Sequence, residues 1–155
     1  INSNSLKGLD NGWKFKHFND YSKAIDKIQS YGISVNGCFI LGFDTDTKET
    51  FKETEKFIKQ SKLSDVQITL LTPFVLEALY HQLDKEGRLL PENWNKYTLF
   101  DVTYIPKNFT VEELENEFQK LMTNIYKEDL VKKRKERFEQ TMLNRKNKIL
   151  NCETL

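Results

Sequence analysis

The sequence has few of the residues from which compact catalytic or metal sites are built. Its 155 residues include two cysteines, Cys38 and Cys152, and two histidines, His17 and His81. Two thiols cannot by themselves form a disulfide framework or a metal cluster, so we interpret Cys38, which falls in a predicted strand, as a buried packing residue. His81 belongs to a helical pattern and His17 to a loop, and neither position favours a catalytic histidine. We therefore predict no catalytic residue and no metal ligand on this chain.

Other common signatures are also missing. The sequence has no Gly-x-Ser-x-Gly elbow, no Gly-x-Gly-x-x-Gly, no phosphate loop and no His-Glu-x-x-His. The longest apolar runs, such as CFILGF at 38–43, are far shorter than the roughly 20 residues of a membrane-spanning helix, and no basic-then-apolar signal opens the chain. These features predict no membrane span and a cytoplasmic protein. With 24 Lys and Arg against 23 Asp and Glu, the net charge of +1 creates no field that would attract nucleic acid or a membrane.

Two charged motifs have ordinary structural explanations. Asp44 and Asp46 alternate as at the start of a calcium loop, but the later glycine and glutamate of such a loop do not follow. Asp46 is better interpreted as a helix N-cap, with Glu49 three residues later completing a capping box. The basic run KKRK at 132–135 is interleaved with acidic residues at helical spacing, so nucleic acid is not favoured as a partner.

Two stretches have the pattern of strands in a parallel sheet. The first, residues 33–43, has a small, mildly polar face (Ser34, Asn36, Cys38) and an apolar one (Ile33, Val35, Phe39, Leu41). The second, residues 66–73, repeats this pattern one βαβ unit later, with Gln67 and Thr69 opposite Val66, Ile68 and Leu70. Such strands suit a sheet whose apolar face is covered by helices and whose other face lines an interior. A right-handed parallel crossover is expected.

Helical patterns surround these strands. A helix from Asp20 should end at Gly32, one after Asp46 should face the sheet, and one through Leu83 should end at Gly87. From Pro91 the chain should wrap the body, with one short strand near 99–104. Thr110 and Glu113 then predict a capping box before an amphipathic helix, and a charged terminal helix follows Glu128.

Three segments together resemble a known family. They are YSKAIDKIQSYGISVNGCFILGFDTDTKETF at 21–51, ITLLTPF at 68–74 with LYHQLDKEGRLL at 79–90, and a later W…Y. In this order, over about residues 2–136, they resemble the C-terminal half of radical S-adenosylmethionine (radical SAM) enzymes that carry a cobalamin-binding domain. GISVNGCFILGFDTDT at 32–47 is the most specific part.

The resemblance implies an α/β fold, namely the C-terminal portion of a partial TIM-type (βα)6 barrel with parallel strands, followed by a helical C-terminal extension. Residues 1–90 would belong to the barrel and residues 91–155 to the extension. It also implies S-adenosylmethionine, a [4Fe-4S] cluster and, in some members, cobalamin as cofactors of the complete enzyme, for radical chemistry such as methyl transfer. The Cys-x-x-x-Cys-x-x-Cys motif that holds the cluster is not in this chain, so none of these cofactors is expected on the chain alone.

Ligands of parallel α/β sheets bind beyond the carboxyl ends of the strands. Applied to the implied barrel, this rule gives seven candidate cofactor-binding residues: Asn36, Cys38, Ile40, Gly42, Thr69, Leu71 and Pro73. The alternative is that they simply fill the barrel interior.

One departure from the family lies after the second strand. The family reads Thr-Pro-Phe-Pro-Gly-Thr where this sequence has Val75, Leu76 and Glu77 in the last three positions. Loss of the proline and glycine predicts loss of the tight turn. This change and the charged extension support an alternative function, a non-catalytic α/β scaffold or partner-binding module from a degenerate or split gene.

The expected partners follow from the same resemblance. They are the N-terminal half of the same enzyme and a small-molecule or lipid-like substrate. If residues 33–43 lack a neighbouring strand on one side, their unpaired backbone groups also predict self-association through that edge, unless residues 1–19 cover it.

Overall fold

A computed structural model describes residues 20–91 and 94–152, which form a βαβ unit followed by a mainly helical segment. The elements in chain order are α1 (Tyr21–Ser30), β1 (Asn36–Leu41), α2 (Lys48–Gln60), β2 (Asp65–Leu70), α3 (Ala78–Lys85), a 3₁₀ turn (Trp94–Lys96), α4 (Val111–Ile125) and α5 (Glu128–Cys152). Within these residues, no helix is long and apolar enough to cross a membrane.

The two strands pair in parallel, as predicted. Asn36 lies opposite Asp65, and the register continues to Leu41 opposite Leu70. Both strands are shorter than predicted. Before β1, the Val35 N–H donates to the Ser64 hydroxyl oxygen, and the Ser64 hydroxyl donates to the Val35 carbonyl, both at 2.9 Å. After β1, Gly42 takes a positive φ of 100°, which turns the chain out of the strand. The pairing establishes the α/β class, although two strands do not make a barrel.

The core lies on one face of the sheet, beneath α2 and α4. Phe39, Leu41, Val66, Ile68 and Leu70 are buried on that face, which confirms the predicted alternation within the strands, whereas Ile33, before β1, is 58% exposed and not on the core. The helices add further buried residues, Phe51 and Ile58 from α2 and Leu114, Phe118, Leu121 and Ile125 from α4. Burying each such side chain is worth roughly 1.5–3 kcal/mol, so this face holds the unit together.

The predicted helix ends are mostly confirmed. Gly32, with φ of +79°, follows α1 and donates its N–H to the Gln29 carbonyl at 2.8 Å. At the start of α4 the Thr110 hydroxyl accepts from the Glu113 amide at 3.1 Å, and the Glu113 carboxylate accepts from the Thr110 amide at 3.0 Å.

The predicted cap of α2 is wrong. The N-cap residue is Thr47, whose amide donates to the Thr50 hydroxyl at 3.0 Å. Asp46 cannot serve, because its carboxylate accepts hydrogen bonds from the amides of Gly42 and Phe43.

The segment after α3 differs from prediction in one respect. Residues 99–104 do not form a strand; Tyr104 instead makes an isolated antiparallel bridge with Leu89. Leu99 has φ of +72°, which is incompatible with an extended strand, and its carbonyl accepts from the Leu70 amide at 2.7 Å.

Helix α5 is largely exposed, as expected from its composition. Two of its cations nevertheless bond to backbone carbonyls of the body. Arg134, part of the basic run, is buried and donates to the Ile125 carbonyl at 3.1 Å, and Arg137 donates to the Ser61 carbonyl at 2.8 Å. These contacts tie α5 to the body and reduce the charge available to a phosphate backbone.

Candidate functional site

Four of the seven predicted site residues lie on one face of the sheet, opposite the core. Asn36, Cys38 and Ile40 are exposed there, and Ile40 keeps 53% of its surface in solvent. Thr69 lies opposite Ile40 in the register, is 8% exposed and donates its hydroxyl to the Phe39 carbonyl at 3.5 Å. The exposure of Cys38 shows that its interpretation as a buried packing residue is wrong. We call these four residues the open sheet face.

The other three predicted residues lie beyond the strand ends. The Leu71 amide donates to the Leu41 carbonyl at 2.7 Å, and Pro73 is fully buried. A Cβ atom built on Gly42 would lie 3.8 Å from the Leu71 Cβ, so these two residues adjoin each other. Gly42 and Leu71 are therefore brought together at the carboxyl ends of the strands.

The loop after β1, residues 42–46, is fixed from within by Asp46. This side chain is 1% exposed, and its Oδ2 accepts from the Gly42 amide at 2.9 Å and from the Phe43 amide at 3.0 Å. The carboxylate accepts hydrogen bonds from two backbone N–H groups that lie beyond the end of β1 and are no longer bonded to the neighbouring strand. We call residues 42–46 the strand-end loop.

Asp44, in the same loop, is the centre of an ionic network. Its two carboxylate oxygens accept hydrogen bonds from the guanidinium of Arg88 at 2.5 and 3.0 Å. The Lys107 Nζ lies 2.9 Å from Asp44 Oδ2. The hydrogen bonds from Arg88 hold the pKa of Asp44 below its usual value, despite partial burial. Arg88 also donates to Glu86 at 2.8 Å and to the Ile105 carbonyl at 2.8 Å. The planar guanidinium thus joins three parts of the chain.

Tyr104 and Asn108 contact the backbone of the strand-end loop. The Tyr104 hydroxyl donates to the Gly42 carbonyl, and burial, followed by the nearby Asp44 and Asp46 carboxylates, raises the pKa of Tyr104. The Asn108 amide donates to the carbonyls of Asp44 at 2.8 Å and Asp46 at 3.1 Å. Sequence reasoning missed Arg88, Tyr104 and Asn108, since residues so far from the loop along the chain leave no local spacing pattern.

The turn after β2 is present, contrary to prediction. The Glu77 amide donates to the Phe74 carbonyl at 3.1 Å, and Leu76 takes φ of +74° where the family has glycine. A positive φ at the third position is what a type II turn requires. The turn is therefore retained, with Leu76 in the left-handed region of backbone conformation that usually favours glycine. Its side chain is 84% exposed.

The residues available do not fit an iron–sulfur cluster. Such a cluster takes several cysteine thiolates, and across the described ranges no three His, Cys, Asp or Glu side chains are grouped as metal ligands. Asp44 and Asp46 are engaged by Arg88, Lys107 and backbone amides. The open sheet face offers instead an exposed amide, a thiol and an apolar side chain, with the buried Thr69 hydroxyl beside them, groups suited to an organic ligand.

Comparison with known proteins shows what the chain is similar to. Residues 78–153 match a family described as a domain of unknown function, DUF4070. The chain is 28% identical over 134 residues to the bacteriochlorophyllide d C-12(1)-methyltransferase of Chlorobaculum tepidum, covering 86% of this chain and 28% of that protein. It is 39% identical over 71 residues to the hopanoid C-2 methylase of Rhodopseudomonas palustris, covering 46% and 14%. An uncharacterized methyltransferase of Pyrococcus horikoshii is 31% identical over 103 residues, covering 66% and 22%.

These relatives confirm the resemblance seen in the sequence. The matches are consistent with the C-terminal half of radical SAM enzymes of the cobalamin-binding-domain type. The chain spans less than a third of the length of each of these three relatives. The division between residues 1–90 and 91–155 and the role of the seven site residues stay predictions.

Proposed function

We propose that this chain is part of a radical SAM enzyme that transfers a methyl group, and that it supplies the last strands of a partial (βα)6 barrel. The open sheet face would line the barrel interior and contact S-adenosylmethionine. The [4Fe-4S] cluster, and cobalamin where the enzyme uses it, would be held by the N-terminal half of the enzyme. S-adenosylmethionine cleaved at that cluster would supply the radical, and this chain would bind and orient the cofactor.

One observation carries the proposal: the face of β1 opposite the core is left exposed, although parallel strands are normally covered on both faces. Ile40 is half exposed there, between the mildly polar Cys38 and the buried Gly42. Closure of a barrel would cover this face, as parallel sheets are normally covered on both sides. The names of two relatives, a bacteriochlorophyllide methyltransferase and a hopanoid methylase, support methyl transfer as the reaction. They also agree with a small-molecule or lipid-like substrate.

The test uses an enzyme in which this chain is joined to a cluster-binding half. Replacing Asn36 with Ala, or Thr69 with Val, should weaken the binding of S-adenosylhomocysteine, an unreactive product analogue, by roughly tenfold, because each substitution removes a polar contact. Asn116→Ala and Thr123→Val, at exposed positions of α4, are matched controls and should bind normally. Unchanged affinity in both test variants would remove the assignment of the open sheet face.

The non-catalytic scaffold stays the second candidate. Of its two supports, the altered turn sequence is weakened, because the turn itself is retained. The exposed terminal helix α5 remains in its favour. A partner-binding module would bind no S-adenosylhomocysteine even when joined to the other half, so the same titration separates the two functions.

A further inference from the structure

We propose that Arg88, Tyr104 and Asn108 are positioning residues, which hold the strand-end loop where it adjoins the bound cofactor. The inference rests on the proposed function, since it concerns the same ends of the strands. None of the three is among the residues predicted from the sequence, and all lie between α3 and α4. They would therefore act on the cofactor only through the loop.

The hydrogen bonds of the strand-end loop divide into two sets. Three of its five amides turn inward, because Gly42 and Phe43 donate to Asp46 and the Asp46 amide donates to the Phe43 carbonyl at 2.8 Å. Its remaining bonded carbonyls, those of Gly42, Asp44 and Asp46, accept from Tyr104 and Asn108. The position of the loop backbone is thus set by Arg88, Tyr104 and Asn108.

Two further contacts make that control specific. A Cβ atom on Gly42 would lie 2.6 Å from the Tyr104 hydroxyl oxygen, so the hydroxyl reaches the loop backbone only because residue 42 is glycine. Both terminal nitrogens of the Arg88 guanidinium donate hydrogen bonds to the Asp44 carboxylate, while its Nε donates to the Ile105 carbonyl. A lysine could not make this paired contact.

The position of the loop matters because it directly follows the open sheet face. Ile40 and Gly42 are two residues apart, and the Leu41 carbonyl between them is bonded to the Leu71 amide. A shift of the loop would be transmitted to both strand ends. Binding sites lose affinity when contact groups move by about 1 Å, so a change behind the loop should be felt by the cofactor.

The chain offers a matched pair of tyrosines for the test. Tyr104 donates to the carbonyl at the carboxyl end of β1, and Tyr126 donates to the Val66 carbonyl, near the start of β2, at 2.7 Å. Tyr104→Phe and Tyr126→Phe remove the same hydroxyl from opposite ends of the strand pair. Arg88→Lys, which keeps the charge but loses the fork, is a second test variant, and the exposed Lys120→Met is its control.

Two measurements are made on each variant. Hydrogen exchange on this chain should show the Gly42, Phe43 and Asp46 amides exchanging roughly tenfold faster in Tyr104→Phe and Arg88→Lys, and at the normal rate in both controls. In the joined enzyme, the affinity for S-adenosylhomocysteine should fall roughly fivefold to tenfold in the test variants only, even where Tyr126→Phe lowers the unfolding midpoint equally.

Each outcome has one meaning. Unchanged exchange at the three amides would overturn the role of these residues in holding the loop. Faster exchange with an affinity no lower than that of Tyr126→Phe would show that the bonds are structural only, and would overturn positioning. If Asn36→Ala and Thr69→Val also leave the affinity unchanged, the proposed function fails as well, while the exchange data still report on the loop.

Discussion

Replacing Leu76 with glycine should make the protein more stable, although it removes a large apolar side chain. Leu76 has φ of +74° in the turn that follows β2, and 84% of its surface is exposed, so little packing is lost. The left-handed region costs a residue with a Cβ about 1–2 kcal/mol. Glycine removes that cost but adds about 0.5–1 kcal/mol of chain entropy in the unfolded state. The expected net gain is about 0.5–1 kcal/mol.

Urea denaturation measures this change directly, and thermal unfolding should show a midpoint about 1–4 °C higher for a chain of this size. Leu76→Ala is the decisive control, since it removes the same side chain but keeps the Cβ, and it should show no such gain. Leu143→Gly, at an exposed position within α5, should destabilise by about 1 kcal/mol. The reasoning is refuted if Leu76→Gly is no more stable than Leu76→Ala.

Two further predictions concern the strand-end loop. Gly42→Ala should lower the free energy of unfolding by about 2–4 kcal/mol, because residue 42 has φ of +100° and its new Cβ would meet the Tyr104 hydroxyl oxygen. Adding Tyr104→Phe should recover part of the loss in a double-mutant cycle, and strict additivity would contradict the contact. The pKa of Asp44 is lowered in the folded state, so its stabilisation is present above the ordinary value of about 3.9 and is lost as the pH falls toward the folded pKa. Asp44→Asn should therefore be less stable than wild type at pH 7 but approach it below about pH 4 in urea titrations, whereas a gap that does not change with pH would argue against the ion pair with Arg88.

The elements that the sequence predicts well are those whose signals are local. The alternation of residues 36–41 and the Thr110–Glu113 box each depend on neighbours a few positions apart, and both are confirmed. The N-cap of α2 was misplaced because Asp46 has the right residue type for a cap. Its carboxylate instead satisfies amides of the loop before it, and a spacing rule cannot choose between two nearby sets of amides.

The candidate site shows the same limit more strongly. The alternation in β1 predicts which side chains share the open sheet face. Whether that face is buried depends on which other elements pack against it, and the pattern does not contain this information, so the interpretation of Cys38 as a buried residue is wrong. The partners of Asp44 and Gly42 come from residues 88–108, where only three-dimensional proximity relates them. The turn at Leu76 survived because the surrounding chain supports a conformation that the local residue disfavours.

The bonds that fix the strand-end loop also set an order for its formation. The partners of Asp44 and Gly42 lie 44 and 62 residues further along the chain. During synthesis, β1 and β2 can pair as soon as Leu70 has left the ribosome, but the loop carbonyls must keep their bonds to water until Tyr104 and Asn108 emerge. Contacts this distant in sequence are slow to form, because the intervening chain must be ordered first. The βαβ unit would thus exist for a time with its strands paired but with the strand-end loop not yet fixed. The last step in its folding would be the docking of Tyr104 and Asn108, which lie outside the sheet, onto that loop.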